Sequence, residues 1–350
     1  MNAPRKSSAK RWIIAAKIVL SAAILAWLAW GAWAEGQFER LVSGEKHWEW
    51  LGVALLASLA AHFTGFIRWY WMGHALELPL TVSASLKIGL IGTFFSLVAF
   101  GVVGGDGLRA WYAARKSPGR RAEAVASVFL DRAIGMFTMF LFAAIGYWWC
   151  RDRLATSGDS ASIQAIQWMC YASLVISVVG IVGILAMLQV SRFRKTKWFR
   201  KLTGLPKVGP ILQRMTAIFM LYRNRPDAIA GGFGLSMVVN VFFAIGIWSV
   251  AMFLPGNHPG LGEHLVIAPI SMVANSFPLP GGIGAMEAAL PFLYRGFMTT
   301  AESGAAGAGT SEVLVAFVFR LTLLAVAALG AFAWFTTDHT LRDEIRHIDE

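Results

Sequence analysis

Residues 86–121 read LKIGLIGTFFSLVAFGVVGGDGLRAWYAARKSPGRR. The stretch begins as a membrane segment and does not end as one. Leu86–Phe100 is apolar apart from Lys87, but it runs into Gly101-Val102-Val103-Gly104-Gly105-Asp106-Gly107, where the backbone freedom of glycine opposes a good helix. Arg109, Arg115, Lys116, Arg120 and Arg121 follow at once. If the segment crossed a bilayer from a cytoplasmic N-terminus, those cations would be carried to the outer face, against the positive-inside rule. The next basic loop, with Arg192, Arg194, Lys195, Lys197, Arg200, Lys201, Lys207, Arg214, Arg223 and Arg225, would follow them. Both loops fall inside if Leu80–Val103 enters from the cytoplasm and turns back.

The whole composition agrees that a membrane is the solvent. The chain has 350 residues, of which 57% are hydrophobic and 15% charged. A soluble domain carries about a quarter charged residues. Two cysteines make no disulfide framework, and so apolar a chain is not disordered. The net charge of +11 is then first a statement about orientation, since Lys and Arg collect in cytoplasmic loops, and it gives no reason to expect nucleic acid.

Apolar runs of crossing length lie near Trp12–Trp33, Trp48–Met72, Leu80–Val103, Ala122–Trp149, Gln164–Val190, Ala228–Leu254, Leu265–Phe297 and Val313–Phe335. The first follows Arg5, Lys6, Lys10 and Arg11 but is too long for a cleavable signal and has no clear cleavage site, so it reads as a retained helix. The seventh is interrupted by Pro278-Leu279-Pro280-Gly281-Gly282-Ile283-Gly284, and Ala285–Met298 forms a second half-helix after it. The expectation is an all-α polytopic protein with about six crossing helices and two re-entrant half-helix hairpins, one from each face. Such a pair of broken elements is the trace that inverted-repeat transporters leave, although direct self-similarity between the halves is weak. The chain reads as a single transmembrane domain over 1–350 with its core at 12–335. A basic cytoplasmic loop spans 191–227 and includes a short amphipathic stretch, Ile211–Tyr222, on the inner leaflet. Thr299–Thr310 reads as a flexible outer loop. Both termini are expected in the cytoplasm of a bacterial cell, with the protein in its inner membrane.

Charges within membrane segments cost roughly 2.5–3.5 kcal/mol each on insertion and are candidates for function by default. They are Arg68, Asp106, Arg109, Asp131, Arg132, Glu287 and Arg320. Each has a plainer reading. Arg68 stands near the inner end of its helix beside Trp69, Tyr70 and Trp71, where snorkelling accounts for it. Asp131-Arg132 lies deep enough to be a self-neutralising ion pair. Arg320 has no acid nearby in sequence, so Glu287 or Asp106 must supply its partner. Glu287 falls in the first turn of a half-helix, where an acid complements the helix dipole. Asp106 fits an N-cap, and Arg109 follows a glycine-rich break where backbone N–H groups and a guanidinium together suit a phosphate. Gly104, Gly105, Gly281, Gly282 and Gly284 read as structural breaks. No βαβ context makes the first cluster a dinucleotide site. His47, His62, His74, His258, His264, His339 and His347 show no metal-ligand spacing, and no nucleophile arrangement stands out; neither a cofactor nor an enzyme is expected.

At these residues the chain resembles the flippase-like transmembrane region of bacterial lysylphosphatidylglycerol synthases. The resemblance rests on Ile67-Arg68-Trp69-Tyr70-Trp71, on Val103-Gly104-Gly105-Asp106-Gly107-Leu108-Arg109 with Phe94-Phe95-Ser96 before it, on Ser127–Gly135 around Asp131-Arg132, and on Pro280-Gly281-Gly282-Ile283-Gly284-Ala285-Met286-Glu287. It covers roughly residues 12–335. Ser96 stands where the family usually has Asn, and Phe100-Gly101 where it has Pro-Gly. The resemblance implies movement of aminoacylated, glycosylated or isoprenoid-linked lipids between leaflets, without the soluble aminoacyl-transfer domain of the synthases. It leaves the lipid open.

The leading expectation is therefore a lipid translocase, flippase or scramblase-like, whose headgroup path runs through a polar cavity between the hairpins. Arg109, Arg132, Arg320 and Arg68 would meet phosphate or glycan, and Asp106, Asp131 and Glu287 would neutralise them or accept a headgroup amine. Its partners would be anionic, aminoacylated or isoprenoid-linked lipids and a separate lipid-synthesis enzyme. The rivals are a non-transporting subunit of a lipid- or envelope-synthesis complex, docking through the basic loop, and an intramembrane headgroup transferase using Glu287 or Asp131 as base.

Overall fold

The computed structural model of the chain describes residues 46–96, 101–156, 160–188, 220–276, 284–298 and 312–336, with isolated positions between 26 and 39 and between 203 and 217. The expected first span, most of the basic loop and its amphipathic stretch, the loop at 299–310, and Gly281 and Gly282 lie outside the described residues. The described elements are α1 (Trp48–Ala75), α2 (Val82–Phe95), α3 (Gly101–Lys116), α4 (Arg121–Thr156), α5 (Ser160–Leu188), α6 (Pro226–Phe253), α7 (Leu261–Asn275), α8 (Ala285–Phe297) and α9 (Glu312–Phe335). Five of them, α1, α4, α5, α6 and α9, are long and apolar enough to cross a membrane. The protein is a multi-pass membrane protein.

The other helices are short. With 14 residues in α2, 15 in α7 and 13 in α8, each rises about 20 Å, well under the roughly 30 Å of hydrocarbon. They come in two packed pairs, α2 with α3 and α7 with α8. Gly104, Gly105 and Gly107 sit inside α3, where glycine content alone places a break. Helix propensity disfavours glycine by about 1 kcal/mol per residue against alanine, but it takes no account of space. A Cβ on Gly105 would collide with the Gly92 carbonyl oxygen and Ser96 Oγ of α2, and one on Gly92 would stand 3.1 Å from the Gly105 carbonyl oxygen. Close backbone approach of small residues is how helices associate in lipid. Gly104 and Gly105 are thus helix residues and not a break. Asp106, inside the same helix, is not its N-cap.

Helices α1 and α6 run antiparallel along their whole length. Trp48 meets Phe253 and Trp50 meets Trp248 at one end, with ring centroids 5.3 and 5.1 Å apart. At the other end Tyr222 Oη donates to the Met72 carbonyl at 2.9 Å and Arg225 Nη1 to that of Ala75 at 3.3 Å. Around this pair the contacts are duplicated. Hairpin α2/α3 packs on α1 as α7/α8 packs on α6. Helix α3 lies against α4 as α8 lies against α9, and the first arms cross over, α2 to α9 and α7 to α4. Glycine makes both crossings close: Gly330 abuts the Leu90 carbonyl, and a Cβ on Gly146 would stand 2.8 Å from that of Leu265. Exchanging α1 with α6, the hairpins with each other and α4 with α9 maps most of these contacts onto one another; α5, which packs on α4 and α8, has no counterpart among the described residues. Since α1 and α6 are antiparallel, the two halves have the layout of an inverted repeat.

Candidate functional site

A cavity of about 540 Å³ opens where the two hairpin ends approach each other. Thr93 and Ser96 reach it from α2, Asn275 and Ser276 from the end of α7, and Asp106 and Arg109 from α3. Helix α1 adds His62, Phe66 and Arg68, α4 adds Phe129 and Arg132, and α9 adds Arg320. All four candidate arginines and Asp106 therefore face one space. Asp131 and Glu287 stand behind the wall, 1% and 0% exposed, and each holds a lining arginine from the rear.

The pairing differs from the one that adjacency suggests. Asp131 and Arg132 are neighbours in sequence but point about 100° apart around α4, and they do not pair with each other. Asp131 takes Arg68 in a two-pronged contact, Oδ1 to Nε at 2.7 Å and Oδ2 to Nη2 at 3.1 Å. Ser236 Oγ accepts from Arg68 Nη1 at 2.7 Å. Arg68 is 7% exposed and does not snorkel. Its fork geometry suits a buried carboxylate and ties α1, α4 and α6 together. Arg320 takes Glu287, Nε to Oε1 at 2.5 Å, and donates from Nη2 to Asn275 Oδ1 at 3.1 Å. The other oxygen of Glu287 accepts the Gly284 N–H at 2.8 Å, so one carboxylate caps α8 and holds Arg320. Gly284 supplies φ of 100° at that cap, a backbone that suits glycine.

The third cluster is looser. Arg132 Nε lies 2.6 Å from Asp106 Oδ2, outside hydrogen-bond alignment. Asp106 Oδ1 is buried and accepts no hydrogen bond among the described residues. Facing that oxygen at 3.9 Å is Arg109 Nη1, one helical turn along α3. Arg109 is 6% exposed, and its guanidinium lies over the rings of Phe66 and Trp69, 5.0 and 5.7 Å from their centroids. Among the described residues no hydrogen bond to its side chain is formed. Three carboxylates thus serve four arginines, and the shortfall falls on Arg109. An unmatched donor and an unmatched acceptor sit side by side at the cavity wall, and buried polar groups rarely stay so without a partner.

Asn275, Ser236 and His62 were missed as site residues. Asn275 had a signal, since it directly precedes the proline-rich break. Ser236 had none, being one serine in an apolar helix. His62 carried only its residue type. Among the described residues no group of three or more His, Cys, Asp or Glu is placed to hold a metal.

A family model described as the lysylphosphatidylglycerol synthase TM region matches residues 14–318, a span that takes in each candidate residue except Arg320. No curated protein and no solved structure shows a significant match.

Proposed function

The chain belongs to the lysylphosphatidylglycerol synthase TM-region family, a membrane-lipid setting, and from that premise we propose that it is a lipid translocase. The observation that carries the reading is the pairing of unmatched groups at the cavity wall: Arg109, without a hydrogen bond among the described residues, and the orphaned Oδ1 of Asp106 3.9 Å away. A lipid phosphate would accept from the Arg109 guanidinium, whose fork matches phosphate oxygens. An ammonium or hydroxyl elsewhere in the headgroup would donate to Asp106. Phe66, Phe129 and Phe243 give the rest of the wall an apolar surface for the glycerol end of the lipid. The acyl chains stay in the bilayer.

Arg68–Asp131 and Arg320–Glu287 hold the wall in shape on this reading, and Arg132 contributes its charge beside Asp106. The inverted repeat supports translocation over a one-sided activity, because two hairpins of opposite sense give equivalent routes to each leaflet. The protein sits in the bacterial inner membrane with both termini cytoplasmic. Purified protein in liposomes should accelerate leaflet exchange of at least one lipid from a panel of anionic, aminoacylated and polyprenyl-linked species. No acceleration for any of them overturns the proposal. Formation of a chemically altered lipid in detergent, with no second compartment, would instead identify a headgroup transferase.

A further inference from the structure

The cavity wall carries one titratable side chain that the headgroup contacts leave unused. His62 Nδ1 lies 2.8 Å from the Ser58 carbonyl oxygen, one turn back on α1. A carbonyl only accepts, so Nδ1 carries the hydrogen and the neutral ring presents Nε2 as a bare lone pair. Among the described residues Nε2 has no hydrogen-bond partner, and His62 lines the cavity. The ring meets Phe66 and Phe243 edge-on at 6.3 and 5.8 Å. Phe66 is also the ring beneath Arg109, so the imidazole and the unmatched guanidinium share one phenyl wall.

The charged groups around His62 come from five helices. Arg109 and Asp106 face the cavity from α3, Arg132 from α4, Arg68 with Asp131 behind it from α1 and α4, and Arg320 with Glu287 behind it from α9 and α8. The wall residues from α2, α6 and α7 are uncharged. A proton added at Nε2 in the empty cavity meets the guanidinium charges of Arg109 and Arg132. A phosphodiester seated on Arg109 brings a negative charge that offsets them. Anion and proton then favour each other's binding, and linkage makes the preference reciprocal.

We propose that His62 takes up one proton at Nε2 when an anionic headgroup occupies the cavity, so that anion and proton enter and leave together. The proposal rests on the translocase reading and adds its coupling ion. The proton comes from water on the loading side and returns to water when the headgroup leaves; no bond of the lipid is made or broken. Coupling of this kind would let a proton gradient drive movement in one direction.

The test uses dihexanoyl phosphatidylglycerol, a short-chain lipid with a single phosphodiester charge and no group of its own that titrates near neutrality. Its binding to the purified full-length protein in detergent is measured by calorimetry from about pH 5 to 8, where histidine changes charge. Two buffers of different ionisation enthalpy count the protons taken up. The expected wild-type affinity falls by up to about tenfold per pH unit as pH rises, with net proton uptake. H62N keeps an amide donor for Ser58 but has no site for a second proton, and its profile should be flat; H62Q serves if H62N does not fold. Soluble glycerophosphoglycerol, run in parallel, separates recognition of the headgroup from that of the chains, and the same slope with it supports the proposal. A flat wild-type profile, or a slope that survives in the variants, overturns the coupling and leaves the translocase reading standing. Absence of wild-type binding to every lipid of the panel overturns both.

Discussion

The two hairpins are related by the inverted repeat, yet they use their charges in opposite ways. On α8 the carboxylate is fully engaged: Glu287 gives one oxygen to Arg320 and the other to its own helix cap. On α3 the carboxylate is half engaged: Asp106 has one oxygen near Arg132 and leaves the other facing Arg109 without a hydrogen bond. Position explains the contrast. Glu287 is completely buried behind the wall, while Asp106 stands on it. The same layout therefore yields a latch in one half and an open valence in the other, and the open one is where a ligand's charge would be received.

The comparison is most easily broken at the latch. Glu287→Ala leaves the Arg320 guanidinium buried without its carboxylate and uncaps α8, which should cost about 3–5 kcal/mol. Thermal unfolding in detergent measures it. Asp106→Ala should cost distinctly less, because the Arg132 side chain is 39% exposed and can be solvated. Equal losses for the two variants would erase the distinction between latch and open site.

Glycine separates the hairpins in a second way. Gly105 is required for space, since α2 occupies the volume of any side chain there, whereas Gly284 is required for its backbone angle. Gly105→Ala should cost about 1–3 kcal/mol through overpacking. Gly284→Ala should cost about 1–2 kcal/mol through strain. Gly107, in the same cluster as Gly105 but with open space at its Cβ position, should accept alanine at no cost or with a gain of up to about 1 kcal/mol. A Gly105→Ala protein as stable as Gly107→Ala would deny the tight α2/α3 approach.

These glycines also mark the boundary of what could be read without coordinates. The half-length helices were legible, because the basic residues after Arg109 made a full crossing untenable and Pro278–Gly284 interrupted the second run. The candidate charges were legible because an ion in an apolar run stands out. Who pairs with whom was legible only for Arg320, which had no acid nearby in sequence and takes Glu287, one of the two suppliers expected. Asp131 and Arg132 look like a pair along the chain, but rotation around α4 sends one to Arg68 and the other to Asp106. That Gly104 and Gly105 lie within a helix was missed for a similar reason. Helix propensity is local, and the collision of Gly105 with Gly92 is a fact about two helices.

The sharpest comparison has a small effect on stability. Arg109→Gln removes a guanidinium that anchors nothing through hydrogen bonds among the described residues, so the fold loses its stacking on Phe66 and Trp69 and a long 3.9 Å charge contact to Asp106, together about 2 kcal/mol. Function should respond differently. A charge-assisted contact to phosphate contributes about 1.5–3 kcal/mol, so leaflet exchange or headgroup affinity should fall about ten- to hundredfold. Arg109→Lys should recover part of that loss, since it restores the charge without the two-pronged donor geometry. Melting and exchange measured on the same preparations decide the matter. An Arg109→Gln protein that exchanges lipid at the wild-type rate would move the headgroup contact off α3. One that melts as early as Glu287→Ala would make Arg109 a structural residue after all, and the two hairpins would then differ in geometry but not in purpose.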